Sequence, residues 1–462
     1  MSFRMTELLY RRDSSIVFSA IAAEPWSIFL DSGYPKMDIG RYDIISGRPY
    51  ITLSTFAEKT IITNKSGEKK ISTEDPFSLV KDLLGNEEKI LPDLPFCGGA
   101  MGYFAYDLGR RIEQLPEIAE HDVNVPDMAI GLYDWAVIVD HHQRRSWLVS
   151  HGRDEQTFQI WQELLALFQE STGKHPINFA ITSELTSNFD KTTYSSAFDK
   201  IKSYIREGDC YQVNLAQRFS VGVNGDPWDA YVRLRKINPA PYGCFLNIPE
   251  GAVLSASPER FLKVRNNLVE TKPIKGTRRR SSFAYEDTAL AEALLESEKD
   301  RAENLMIVDL LRNDLGKTCA KGSVAVPKLF ALESFASVHH LVSTITGQLD
   351  QGQHVLDLLR GCFPGGSITG APKLRSMEII EEVEPHRRSV YCGSIGYIGF
   401  DSSMDCNIAI RSMVYYQDTM YCWAGGGIVA DSRMEAEYQE CFDKVAALLY
   451  LLEAKEIKDV GS

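Results

Sequence analysis

The sequence predicts an α+β fold in which large, mostly antiparallel sheets carry helices on their outside. Three observations predict it. Strand-like apolar runs, punctuated by glycine, recur along the chain. Helical patterns are fewer and are marked by their own start and stop signals. No internal repeat of fixed period and no low-complexity tract interrupts them.

Composition sets the outer limits. With 462 residues, 44% hydrophobic and 24% charged, the chain has ample core, and its length allows two to three domains or one large one. The net charge of −13, with no basic stretch to offset it, argues against nucleic acid or an anionic membrane as partner. An anionic substrate would need a local basic pocket or a divalent cation. The nine cysteines include no CxxC pair, which argues against zinc and against a disulfide framework, and fits a reducing cytoplasm. No run approaches the roughly 20 apolar residues of a membrane span.

Residues 1–170 alternate like strands. Arg11 and Arg12 before Ile16–Ala23 give a faint leader likeness, but Asp13 intervenes and a second apolar stretch, Trp26–Leu30, follows, so this is core structure. Asp127–Asp140 is long, apolar and β-branched without helical period: one or two buried strands. Gln156–Gln169 is helical, and the polar stretch Ser171–Asn188 is a linker candidate. Tyr194, Phe198, Ile201 and Ile205 then fall at helical spacing, with Gly208 as the stop. Ser297-Glu298-Lys299-Asp300 has the form of a capping box and opens a helix through about Arg312. Ser432-Arg433-Met434-Glu435 is a second, opening a helix striped by Met434, Tyr438, Cys441, Val445, Leu448 and Leu452. Between them run strands at Tyr391–Phe400, Cys406–Tyr415 and Met420–Ile428. The division is 1–170 and 190–455, two halves of one compact unit.

Lys275 is the most informative residue. It lies between Ile274 and Gly276 in a short strand ending in a turn, with Pro273 fixing its own φ. An inward amine without a fixed counter-charge tends to lose its proton, and a neutral amine is a nucleophile. Asp300 and Glu303 are three apart on one helix, Glu437 and Glu440 three apart on another, with Lys444 one turn on. Such pairs read as solvated faces in isolation. Four carboxylates facing one cavity would instead need a hard cation such as Mg²⁺.

Gly361–Lys373 fails the phosphate-loop test because Ala371-Pro372 separates its last glycine from Lys373. Its small residues before a helix fit a carboxylate cradle or a tight turn, and so do Gly425-Gly426-Gly427. Gly98–Gly102 lacks dinucleotide spacing. His340 reads as a core histidine by itself. Arg411, inside an apolar strand, needs a partner, and a substrate carboxylate would be one.

In series, SPERF (257–261), PIKGT (273–277), KDRAENLMIVDLLRNDLG (299–316), HHLVS (339–343), GGSITGAPK (365–373), GSIGY (393–397), AIRS (409–412) and GGGIVADS (425–432) resemble the chorismate-utilising enzymes. The blocks cover about 190–452 in order, and LDSGY (30–34) and GGAMGY (98–103) extend the likeness to the N-terminal half. The resemblance implies a four-layer αββα sandwich of the anthranilate synthase component I type. It also implies an activity: branches of this family that act at C2 of chorismate typically carry Ala where Lys275 stands, whereas the branch that aminates C4 carries Lys. Lys275 would attack C2 while Glu259 protonates the departing C4 hydroxyl, and ammonia would then add at C4 and expel the lysine.

Further roles follow from the resemblance. Mg²⁺ would be held by Glu303 and Glu440 with Asp300 and Glu437 in support. Arg411, Tyr397, Lys444 and the backbone near Gly370 and Gly425, Gly426 and Gly427 would hold carboxylates. Ser367, Thr277 and His340 would line the ring. Asp300 stands where relatives often have Glu. No Gly-x-Cys-x-Gly elbow supplies a glutaminase, so ammonia would come from a glutamine amidotransferase subunit or from solution. Ser32, Ile39, Gly40, Arg41, Tyr42, Pro241, Tyr242 and Gly243 match positions where some members hold L-tryptophan as inhibitor or structural ligand, and match ordinary turn and core packing equally. The alternatives are a C2-acting synthase on the same fold and a non-catalytic, tryptophan-binding regulatory subunit. The second conflicts with every chemical position being filled.

Overall fold

Alternation along the strands sorts the apolar side chains into two cores. Ile28, Ile44, Ile138, Leu246, Val253 and Val414 enter one; their neighbours Phe29, Ile45, Val137, Phe245, Leu254 and Met413 enter the other. A period of two with both faces apolar makes a sheet buried on both sides. The protein is described by a computed structural model covering residues 3–35, 40–88, 94–170, 178–334 and 338–453.

Among the described residues this sheet has thirteen strands. Its order runs from Arg4–Leu8 through Arg145–Ser150, Trp135–Asp140, Tyr42–Ser46, Ile28–Asp31, Tyr242–Ile248, Gly251–Ser257, Ser412–Tyr416 and Thr419–Ile428 to Gln212–Asn224. Neighbours are antiparallel throughout. A second, twelve-stranded sheet runs from Ile274–Arg279 and Val338–Gln348 past Arg260–Arg265, Met404–Asn407, Ser394–Gly399 and Gly99–Phe104 to Lys69–Ser72. The first core lies between the two sheets. The second lies between the thirteen-stranded sheet and the helices Lys191–Glu207, Pro227–Ile237 and Met434–Glu453. Helices Pro76–Leu84, Glu298–Gly316 and Val355–Cys362 pack on the twelve-stranded sheet or on one another. The result is the α+β sandwich of antiparallel sheets with outer helices.

The chain changes sheets at two places read from sequence as continuous strand. Asp127–Asp140 is two strands, Met128–Tyr133 in one sheet and Trp135–Asp140 in the other, with buried Asp134 between them. Its carboxylate accepts from Ser150 Oγ at 2.8 Å and the Arg153 amide at 2.6 Å. The 406–415 run likewise splits, and Arg411 sits at φ +52° in the crossover, outside either strand. The helix expected at 156–169 breaks at Ile160 into Glu155–Gln159 and Trp161–Glu170. Part of the expected linker is sheet: Ala180–Ile181 and Thr186–Ser187 pair with Gln212–Asn224, while residues 171–177 lie outside the described residues. Gly208 ends its helix at φ 87°, as its sequence position predicts. Among the described residues no helix is long and apolar enough to cross a membrane.

One buried ion pair holds the centre of this assembly. Arg388 is 1% exposed and Glu384 5%, and their closest atoms are 2.6 Å apart. Arg388→Met leaves Glu384 charged and unpaired. Urea unfolding should show a loss of about 3–5 kcal/mol, with the midpoint falling and the slope unchanged.

Candidate active site

Lys275 lies in the strand Ile274–Arg279, whose register with Val338–Gln348 slips between Ile274 and Thr277. Gly276 makes the slip possible: its φ is +81°, and a Cβ there would stand 2.9 Å from Leu294 Cδ1. The bulge turns Lys275 inward. Part of its stem is accessible, but the amine is enclosed and donates to the Ser367 carbonyl at 3.2 Å. Burial pushes the amine's pKa down; Glu303 pulls the other way, and Lys444 adds to the fall.

Glu259 faces the same Ser367. It follows the strand Gly251–Ser257, is 7% exposed, and accepts from Ser367 Oγ at 2.9 Å. Burial raises its pKa against the pull of Lys275, the Ser367 hydrogen bond and Lys444. A depressed amine and an elevated carboxyl therefore share one serine. That is the protonation pattern a nucleophile and a general acid require.

Beside them, Thr277 opposes His340 in the strand register, and its hydroxyl is 2.8 Å from His340 Nδ1. Burial, then the neighbouring Arg411, lowers His340 to about 4, so the ring is neutral near pH 7. The Arg411 guanidinium is largely enclosed and has no carboxylate or hydrogen-bond partner among the described residues. Burial alone lowers its pKa. An enclosed guanidinium of this kind is suited to a bidentate carboxylate.

The acidic residues meet across two helices. Glu437 accepts from Ser432 Oγ at 2.7 Å, so Ser432 holds this carboxylate rather than closing the capping box expected with Glu435. Ser297 does cap its helix, accepting from the Asp300 amide. Lys299 lies 3.9 Å from Glu303 and 3.8 Å from Glu437, bridging the two helices. Burial raises Glu303 and Glu437; burial works the same way on Glu440, but Lys444, bonded at 2.6 Å, prevails and Glu440 falls. Asp300 is turned to Arg278 at 2.9 Å. Among the described residues no three His, Cys, Asp or Glu side chains gather closely enough to hold a metal alone. The donors are all hard oxygens whose crowding a cation would relieve. They fit a Mg²⁺ that keeps water and substrate oxygens in its shell.

Gly425, Gly426 and Gly427 correct an expectation. They form no loop nest but lie within the strand Thr419–Ile428, paired with Ala216, Leu215 and Asn214. Their missing side chains open space: a Cβ at Gly426 would stand 3.1 Å from Glu437 Oε2, and one at Gly427 2.7 Å from Gln212 Nε2. Gly370 is also paired, opposite Val213, so the 366–371 segment is stitched to the sheet. Lys444 donates to the Gly425 carbonyl at 3.0 Å.

Residues 36–450 match the family described as chorismate binding enzyme. The chain is a chorismate-binding enzyme. It is 49% identical over 451 residues to aminodeoxychorismate synthase component 1 of Escherichia coli K12, covering 96% of this chain and 98% of that one. To anthranilate synthase component 1 of Acetivibrio thermocellus it is 37% identical over 436 residues, covering 90% and 88%. The solved anthranilate synthase component I of Streptococcus pneumoniae superposes with a TM-score of 0.79 at 32% identity, covering 88% of this chain and 92% of that one.

This chorismate-binding enzyme has a separate cavity of about 420 Å³. Ser32, Gly40, Arg41, Tyr42, Pro241, Tyr242 and Gly243 line it, and Ile39 lies outside the described residues. Tyr397 lines this cavity too, its ring 5.5 Å from that of Phe96, instead of joining the Lys275 cluster with which the sequence grouped it. Residues that sequence reasoning missed include Lys299, Asn214 and Gln212. The last is fully buried with neither amide atom partnered among the described residues. A Gln-x-Asn alternation inside an apolar strand was its only signal.

His340 predicts a pH dependence. Its folded pKa of about 4 lies below the ordinary 6.5, so the unfolded chain binds the extra proton between these values. Its contribution, about 3 kcal/mol at most, is present above pH ~6.5 and lost as pH falls towards ~4. Urea unfolding across that window should show a shallower slope in His340→Asn.

Proposed function

We propose that this enzyme converts chorismate and ammonia to 4-amino-4-deoxychorismate, the precursor of p-aminobenzoate and so of folate. The observation that carries the reading is the enclosed amine of Lys275 opposite a protonation-prone Glu259, both bonded to Ser367. The near-full-length identity to the E. coli aminodeoxychorismate synthase component 1 supports it.

In this reading the Lys275 nitrogen forms a bond to C2, both conjugated ring double bonds shift, and the C4–O bond breaks. Glu259 gives its proton to the departing hydroxyl, which leaves as water. Ammonia then bonds at C4, both double bonds return, and the C2–N bond breaks to release Lys275; the Glu259 carboxylate is placed to take up a proton from the new C4 ammonium. Arg411 and Lys444 hold substrate carboxylates, and the neutral His340 with Thr277 lines the ring beside Ser367. Gly370 and Gly425–Gly427 keep the floor open.

Glu303 and Glu440 would hold Mg²⁺, with Glu437 beside them and Asp300 in support through Arg278. When bound, Mg²⁺ supplies positive charge for the ring carboxylate. Ammonia comes from a glutamine amidotransferase subunit, in keeping with the "component 1" of the relatives' name. We assign the 420 Å³ cavity to L-tryptophan, with Tyr397 joining its walls. Because strands of the two halves pair edge to edge in both sheets, Ile28–Asp31 with Tyr242–Ile248 and Gly99–Phe104 with Ser394–Gly399, we propose that 1–170 and 190–455 act as one folding unit. The nine free, buried cysteines suit the cytoplasm.

Incubation with chorismate, Mg²⁺ and ammonium should yield aminodeoxychorismate without pyruvate; anthranilate with released pyruvate would overturn the reading. With ammonia withheld, intact-mass and peptide mapping should locate a chorismate-derived adduct on Lys275. Lys275→Ala should lose the adduct and at least ~10²-fold in kcat.

A further inference from the structure

Ser367 serves both reacting groups, through its carbonyl to Lys275 and its hydroxyl to Glu259. Whatever holds Ser367 therefore sets their mutual geometry. The residue lies in a single 3₁₀ turn, Gly366–Ile368, too short to fix itself. Its support comes from the neighbouring strand Gln212–Asn224, and chiefly from one residue.

Asn214 contacts the turn in two ways. Its amide N–H donates to the Thr369 carbonyl at 2.8 Å, and its side-chain Nδ2 donates to the Ser367 carbonyl at 3.3 Å. The Asn214 backbone is itself clamped, since its carbonyl accepts from Arg388 Nη2 at 3.0 Å while Arg388 Nη1 donates to the Ile368 carbonyl at 2.9 Å. The orientation of the side-chain amide is dictated, because a flip would set two acceptors, Oδ1 and the Ser367 oxygen, against each other. So committed, Oδ1 is left buried and unpartnered among the described residues, next to Gly427, where a Cβ would stand 3.2 Å away. Leaving a buried acceptor unpaired costs stability. A residue retained for packing alone would not carry that cost.

We propose that Asn214 is a positioning residue for Lys275, acting through the Ser367 carbonyl. The inference rests on Lys275 being the nucleophile, as proposed above. A carbonyl oxygen has two lone pairs; Asn214 occupies one and fixes the peptide plane, leaving the other to aim the lysine amine. The acceptor is neutral, so it orients the amine without the attraction of a full negative charge. Without the Asn214 donor the Ser367 peptide can rotate, and the amine loses its aim at C2. Misplacement by about 1 Å can cost on the order of 10²-fold in rate.

The test is single-turnover adduct formation by the full chain with chorismate and Mg²⁺ and no ammonia, followed by rapid quench and intact mass. Asn214→Leu and Asn214→Asp keep the shape and remove the donor. Both should form the Lys275 adduct about 10–100-fold more slowly. Steady-state KM for chorismate should stay within about twofold while kcat falls, a split that loss of folding or of substrate binding does not produce. Adduct formation at the wild-type rate in both variants overturns the inference alone. So does a loss matched by an equal rise in KM or by the fraction unfolded in thermal melts. If the wild-type chain forms no adduct at all, the lysine chemistry fails and this inference with it.

Discussion

The whole site depends on keeping one lysine amine out of water. A free lysine is nucleophilic in about one molecule in 10³ at neutral pH. Enclosure between the two sheets disfavours the ammonium, and the slip at Gly276 is what directs the amine there. Glu303 opposes the effect, so the balance is set by burial against nearby carboxylates. The same burial raises the Glu259 pKa, favouring its protonated form against the pull of Lys275. One environment shifts the amine towards its neutral form and the carboxyl towards its protonated form, and Ser367 ties the two together.

Around this pair the charges are arranged in layers. Lys299, Lys275 and Lys444 face Glu303, Glu437 and Glu440, so neither sign goes uncompensated. The sandwich makes the arrangement possible, because the chain passes between sheets at Asp134, at 258–259 and at 408–411 without leaving the sandwich. The crossover at 408–411 leaves Arg411 beside His340 with an unpaired guanidinium among the described residues, suited to an anionic substrate despite the net charge of −13.

Much of this was legible in the sequence, for physical reasons. Strands buried on both faces appear as apolar runs, so 127–140 and 420–428 were visible. A run of apolar residues carries no mark of which sheet it joins, so the crossovers at Asp134 and Arg411 were not. Gly276 was readable because a positive φ has a sequence signature. The three glycines 425–427 misled because two unlike needs, a turn and an open strand face, select the same residue. Tyr397 was grouped with the wrong cavity because alternation assigns a face only once the register is known. Asn214, and Lys299 in its contact with Glu437, act through neighbours far away in sequence, and spacing does not encode such contacts.

The chemistry stands on the protonation state of Lys275, and its most direct measurement is an NMR titration of the lysine side chains labelled with ¹⁵N at Nζ. The Lys275 resonance, assigned by its absence in Lys275→Ala, should titrate below the ordinary lysine value of about 10.4. A value at or above it would mean the amine is an ordinary solvated or ion-paired ammonium, and the chemistry built on it would not hold.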